Sequence, residues 1–243
     1  MDSAASSSAS VSVIAPSAAP ASYTPPRILV INPNSSDTMT RAMDAPLDIL
    51  RRSGAYRVES VRLPDAPPGI ESQADIETVV PMIAARIRQD DADAFVIACY
   101  SDPGLALARE VSKKPVIGIA ESSMIVATDL GRKFGIVSIL DKSIPRHRRY
   151  VRSLGLENRL ANDRAIDSGV AGLEDHGAVD KVISVGRVLR DQDGADVLIL
   201  GCAGMGHFRG QIEAALGIPV VDPTQAAVSR AMNLLALGYR PGH

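Results

Sequence analysis

Ala92-Asp93-Ala94-Phe95-Val96-Ile97-Ala98-Cys99 recurs later in the chain as Ala195-Asp196-Val197-Leu198-Ile199-Leu200-Gly201-Cys202. Each copy is a short apolar run entered from an Ala-Asp turn, left through small or polar residues and followed by a helical stretch. That is the pattern of a strand buried on both faces, so each cysteine closes a strand. The echo continues outward: Pro115-Val116 lies sixteen residues after Cys99 and Pro219-Val220 seventeen after Cys202, each opening another apolar stretch. The chain is therefore an internal duplication. Two similar halves facing across a cleft would bring two thiols to a ligand from opposite sides, as a two-base proton transfer requires.

Working outward, strand and helix alternate. Strands are expected at Arg27–Ile31, Arg57–Leu63, Ala94–Ala98, Val116–Ile119, Phe134–Ile139, Val197–Leu200 and Pro219–Val221. Helices are expected from near Thr38, capped by Ser36 or Asp37, and at Asp75–Gln89, Gly104–Val111 and Ser122–Leu130. Further helices are read at Ser143–Leu154, Val179–Asp191, Gln211–Leu216 and Gln225–Leu237. The stretch from Asn158 to Asp175 yields no assignment. This alternation makes the fold α/β, with parallel sheets covered by helices on both faces. Ligands of such sheets bind beyond the carboxyl ends of the strands, where both cysteines lie.

At 243 residues the chain suits one large or two small domains, and a net charge of −2 gives no reason to expect a nucleic-acid partner. No segment approaches the ~18 consecutive apolar residues of a membrane span. Two cysteines do not build a disulfide scaffold, so a reduced, cytoplasmic setting is expected. Residues 1–26 are rich in Ser, Ala and Pro, with Asp2 the only charge before Arg27. They read as a disordered leader, lacking the arginines of a transit peptide and the basic start of a secretory signal.

Five segments carry a resemblance. Ile31-Asn32-Pro33-Asn34-Ser35-Ser36, Gly69-Ile70-Glu71-Ser72, Ala98-Cys99-Tyr100-Ser101-Asp102-Pro103-Gly104-Leu105, Gly118-Ile119-Ala120-Glu121 and Leu200-Gly201-Cys202-Ala203-Gly204-Met205 are together similar to the hydantoin/allantoin racemase branch of the aspartate/glutamate racemase superfamily. The resemblance implies two pseudo-symmetric α/β domains, residues 27–119 plus 221–243 and residues 120–220, with the site in the cleft between them. It also implies cofactor-independent racemisation with one catalytic cysteine per domain, Cys99 and Cys202, and a homo-oligomer by analogy with relatives. Amino-acid racemases of this superfamily carry Asn-Thr after the first cysteine and Thr-His after the second; Tyr100-Ser101 and Ala203-Gly204 stand there instead. The expected substrate therefore shifts from a zwitterionic amino acid to a neutral ring, allantoin or a 5-substituted hydantoin.

The chemistry of the residues is consistent with this. Racemising a carbon beside a carbonyl without metal or cofactor needs two groups that exchange acid and base roles, and a thiol with a thiolate can do so. Helix N-termini following both cysteines are expected to ease thiolate formation, and amides around Ser101, Gly104, Ala203 and Gly204 to bind the enolate oxygen. By resemblance Asn34 binds a ring amide or carbonyl, and Glu121 and Ser122 join the site from a strand end. Tyr100 either contacts the ring or points into the core. The basic run Arg146-His147-Arg148-Arg149 reads as a solvated helix face, and His207 as an incidental loop residue. The alternatives kept open are a superfamily relative that decarboxylates or isomerises a carboxylated substrate, a silent binder of a small nitrogenous metabolite, and a redox-switched thiol pair. The chain lacks the phosphate-binding, dinucleotide, His-Glu-x-x-His and Cys-x-x-Cys motifs.

Overall fold

Apolar strands from the two halves of the chain assemble into two four-stranded parallel sheets of identical strand order. The computed structural model describes residues 24–174 and 177–242, so residues 1–23 of the expected leader lie outside the described residues. The first half runs β1 (Arg27–Asn32), α1 (Asp37–Asp44), α2 (Asp48–Arg51), β2 (Arg57–Arg62), α3 (Gln73–Arg88), β3 (Ala94–Ile97), α4 (Leu105–Val111), β4 (Val116–Gly118) and α5 (Ile119–Leu130). The second runs β5 (Phe134–Ser138), α6 (Ile144–Ser153), β6 (Leu160–Ala165), α7 (Ala178–Asp191), β7 (Val197–Leu200), α8 (Arg209–Leu216), β8 (Val220–Val221) and α9 (Pro223–Ala236). The sheet orders are β2-β1-β3-β4 and β6-β5-β7-β8. Equivalent registers, Ile31 beside Ile97 and Val137 beside Leu200, bring the two cysteine-bearing strand ends to matching places.

The last helix of each half covers the sheet of the other. On α5, Ala120, Met124 and Ala127 pack with Phe134, Ile136, Val197 and Ile199 of the second sheet. On α9, Ala227, Val228 and Ala231 pack with Ile28, Val30, Val96 and Ile117 of the first. This exchange buries both helices and fixes the halves against each other. Among the described residues no helix is long and apolar enough to cross a membrane.

Two elements depart from the sequence-based expectation. The strand β6 lies inside the unassigned stretch; half of its sequence LANDRA is polar, and it pairs only with β5, at the sheet edge. The helix α5 begins at Ile119, three residues before the expected start, with Gly118 as N-cap and no capping side chain of its own. Its cap comes from Asp102, whose carboxylate accepts from the N–H groups of Ala120 (2.9 Å) and Glu121 (2.8 Å). In the second half Asp222 does the same job locally, accepting at α9 from Thr224 (2.8 Å) and Gln225 (3.3 Å).

The duplication has thus exchanged a residue pair. Gly118 follows Pro115 by three positions, as Asp222 follows Pro219. Asp102 follows Cys99 as Gly206 follows Cys202, with the one-residue offset between the repeats. A Cβ on Gly118 would lie 2.2 Å from the carboxyl carbon of Asp102, and one on Gly206 would lie 2.3 Å from Oδ2 of Asp222. Each half therefore has room for one carboxyl at this point, supplied by opposite sides. Burial pushes both carboxyls up to about 6, against the pull of the amides they accept from.

Candidate active site

The carboxyl ends of β1, β3, β5 and β7 converge on a cleft with about 480 Å³ of empty space, open solvent at its mouth included. Cys99 and Cys202 both line it, together with Asn34, Tyr100, Ser101 and Ala203. Both cysteines are free, and each keeps a little surface. That surface opens into the cleft, so desolvation governs the thiols. Burial pushes the Cys202 thiol up to about 11, while the Gly204 N–H pulls the other way. Cys99 is pushed up further, first by burial and then by Cys202 and Asp102, with Arg146 opposing.

The expected ease of thiolate formation at helix starts is therefore corrected. Cys202 is the N-cap of a 3₁₀ turn, Ala203–Phe208, but Cys99 precedes no helix directly, because α4 starts only at Leu105. The amides of Ser101 (2.8 Å) and Asp102 (3.0 Å) close back onto the Cys99 carbonyl instead of facing the cleft. Gly104, with φ +68°, sits against Val80. The donors expected for an enolate oxygen thus reduce to the second loop, where the N–H of Ala203 starts the 3₁₀ turn. Gly204 is buried, and a Cβ there would meet Met39 Sδ at 2.1 Å, so its α-carbon faces α1.

Asn34 is oriented by its neighbours. Its carboxamide oxygen accepts from the Ser36 N–H (2.9 Å) and from Asn32 Nδ2 (2.9 Å), while Asn32 also donates to Thr40 (2.9 Å). The backbone donor fixes which end of the Asn34 amide is oxygen. Its Nδ2 is left without a protein acceptor among the described residues and available to a cleft ligand. Buried Asn32, not singled out from sequence, is the residue that holds it. The Gly69–Ser72 motif contributes Ile70 to the lining, and Glu71 joins the halves by accepting from the Val170 N–H (3.0 Å).

Tyr100 is buried and also lines the cleft, its ring edge-on to His147 with centroids 5.1 Å apart. Glu121 and Ser122 lie outside the cleft lining. The early start of α5 turns them toward α4 and α9, where Glu121 takes Arg109 (3.0 Å) and Arg230 (3.6 Å), and Ser122 takes Arg230 (3.0 Å).

The solvated-face reading of the basic run is corrected for two of its residues. Arg146 and His147 both line the cleft. His147 Nδ1 lies 3.0 Å from Asp163 Oδ2 and 3.0 Å from Ser138 Oγ, and Ser138 donates to the other Asp163 oxygen at 2.5 Å. With serine and aspartate on the same ring nitrogen, this is not a nucleophilic serine triad, in which they would occupy opposite nitrogens. It is a clamp that orients the imidazole, leaving Nε2 without a hydrogen-bond partner among the described residues. Among the described residues no group of three or more His, Cys, Asp or Glu is placed to hold a metal ion.

Comparison with known proteins identifies the family. The Asp/Glu/Hydantoin racemase family matches residues 28–231. A hydantoin racemase of Rhizobium meliloti is 39% identical over 218 residues, covering 87% of this chain and 90% of its own. Allantoin racemase from Klebsiella pneumoniae superposes with a TM-score of 0.83 at 36% identity, over 89% of this chain and 90% of that one. Allantoin racemase from Pseudomonas fluorescens gives 0.85 at 27% identity, over 89% and 93%. With its repeated halves, shared cleft and near full-length match, the chain belongs to the Asp/Glu/hydantoin racemase family.

Proposed function

We propose that this protein racemises the stereogenic carbon of a five-membered ureide ring, allantoin or a 5-substituted hydantoin, using Cys99 and Cys202 as a two-base pair and no cofactor. The observation that carries the reading is the arrival of two thiols from equivalent strand ends at one small cleft. One cysteine, as thiolate, takes the proton from the ring carbon, and the electron pair passes into the neighbouring carbonyl as an enolate. The other, as thiol, returns a proton to the opposite face. The pair then stands with its protonation states exchanged, ready for the other enantiomer, and nothing is consumed. Asn34 Nδ2 and the Ala203 N–H are the donors for ring oxygens, and Met39, Ile70, Ile139 and Val170 form an apolar wall.

The test is proton NMR in deuterium oxide with one enantiomer each of allantoin and several 5-substituted hydantoins, alongside polarimetry and against the double cysteine variant. Cysteine-dependent loss of the ring-carbon signal together with decaying rotation is the expected result, and the fastest substrate identifies the substituent. Binding without exchange on any ring would instead support a silent binder.

The raised thiols give a pH dependence. Their neutral forms predominate in the empty cleft at neutral pH, so each unit of alkalinisation raises the thiolate fraction nearly tenfold. We expect log kcat/KM to climb with a slope near one from about pH 6 to 9; a profile level across that range would contradict thiol bases. The same shift sets an upper limit on the assay. The unfolded chain ionises a thiol near 9 and the folded chain ionises Cys202 near 11, so stability falls as pH rises between those values.

A further inference from the structure

We propose that Arg146 is the electrostatic partner of Cys99, a positioning residue whose guanidinium favours ionisation of that thiol across the cleft. The inference rests on the two-thiol reading. Arg146 comes from α6 of the second half, whereas Cys99 ends a strand of the first. Its Nε donates to Ser101 Oγ (3.0 Å), two residues beyond Cys99, and its Nη2 to Ser143 Oγ (3.3 Å). Ser101 is itself fixed by donating to the Tyr100 carbonyl (2.7 Å). Arginines 27, 51, 109, 152, 164, 190, 209 and 230 all lie within ion-pair distance of a carboxylate. Arg146 is half-buried and has no carboxylate within that distance among the described residues. Two neutral hydroxyls orient the guanidinium without neutralising it, and a half-buried cation left in that state stabilises any anion formed beside it.

Cys99, lining the same cleft, is the thiol on which that cation acts. The other groups acting on it, Cys202 from the loop after β7 and Asp102 on its own loop, both disfavour thiolate, and Arg146 opposes them. His147 faces the same cleft from α6 with its Nδ1 committed to Asp163. Arg146 in turn feels Arg149 on its own helix and Asp75 on α3.

The test measures the thiols directly, without substrate. In single-thiol proteins, Cys202→Ser reports on Cys99 and Cys99→Ser on Cys202, with iodoacetamide alkylation followed by mass spectrometry from pH 6 to 11. Arg146→Gln is expected to displace the Cys99 curve upward by about one pH unit or more, the size of an opposite-charge effect at short range. Arg146→Lys should displace it less, and the Cys202 curve should stay in place. An unmoved Cys99 curve in Arg146→Gln, or equal movement of both thiols, would overturn the assignment. If Arg146→Gln fails to fold, Arg146→Met with circular dichroism as a control supplies the same comparison. Absence of ring exchange by the unsubstituted enzyme would retire the racemase reading and leave this result standing, so the two failures are distinguishable.

Discussion

Cys99→Ser and Cys202→Ser should each lower racemisation by about a thousandfold or more while leaving the fold intact. The magnitude follows from what each thiol contributes. General acid–base groups supply roughly 10²–10⁴ in rate, and a serine hydroxyl in the same place is too weak an acid to serve as base at neutral pH. The fold should survive because sulfur and oxygen differ little in volume, and each side chain lies at the cleft wall with no side chain among the described residues donating to it. Melting temperature and circular dichroism should therefore stay near the parent values. A sharper outcome separates a pair from a single nucleophile. The surviving cysteine still faces one side of the ring, so each single variant should exchange the ring-carbon proton of one enantiomer with deuterium, and the two variants should favour opposite enantiomers. Racemisation at parental rate in the double variant would end the two-thiol mechanism.

The sequence revealed this pair because buried parallel strands leave an unusually plain record. In Ala94–Ile97 and Val197–Leu200 every position is buried, so the apolar runs are uninterrupted and the residues beyond them mark the strand ends. Other features leave no local record. Leu160–Ala165 forms an edge strand in which Asn162 and Arg164 bond to Asp193 at its surface, so its sequence looks like loop. The start of α5 was displaced by three residues because capping residues are sought beside a helix, whereas its cap, Asp102, is supplied from the cysteine loop across the sheet. For Arg146 and His147 the sequence suggests a solvated face, because a run of basic residues on a helix usually is one. Only the packing of α6 beside the first cysteine loop turns two of them inward. Glu121 and Ser122 lie away from the cleft lining, since membership of a strand-end motif does not fix which way a helix presents its first turn.

The exchanged carboxyl site predicts strong non-additivity. Asp102→Gly alone removes the acceptor for two helix amides and for the Tyr150 hydroxyl (2.8 Å), and buried donors left unpaired should cost about 2–4 kcal/mol. Gly118→Asp alone places a second carboxyl where the first already stands, within 2.2 Å of a bare Cβ. That variant should lose about 4 kcal/mol or more, as overpacking adds to carboxylate repulsion. Together the substitutions reproduce the arrangement of the second half. The backbone at Gly118 (φ −91°, ψ 143°) is close to that of the natural cap Asp222 (φ −77°, ψ 117°), so an aspartate there can reach the same two amides. Glycine at 102 also relieves the positive φ of 45° that Asp102 adopts. The double variant should therefore melt within a few degrees of the parent and well above either single variant, a coupling of at least about 2 kcal/mol. Activity should recover less than stability. Asp222 caps α9 while its Oδ2 has no hydrogen-bond partner among the described residues, whereas Asp102 also ties the Cys99 loop to α5 and to Tyr150, and a glycine at 102 cuts that tie. Denaturant titration of the four proteins decides the first point, and ring-proton exchange the second. Simple addition of the two single costs would show that the halves do not share one carboxyl site.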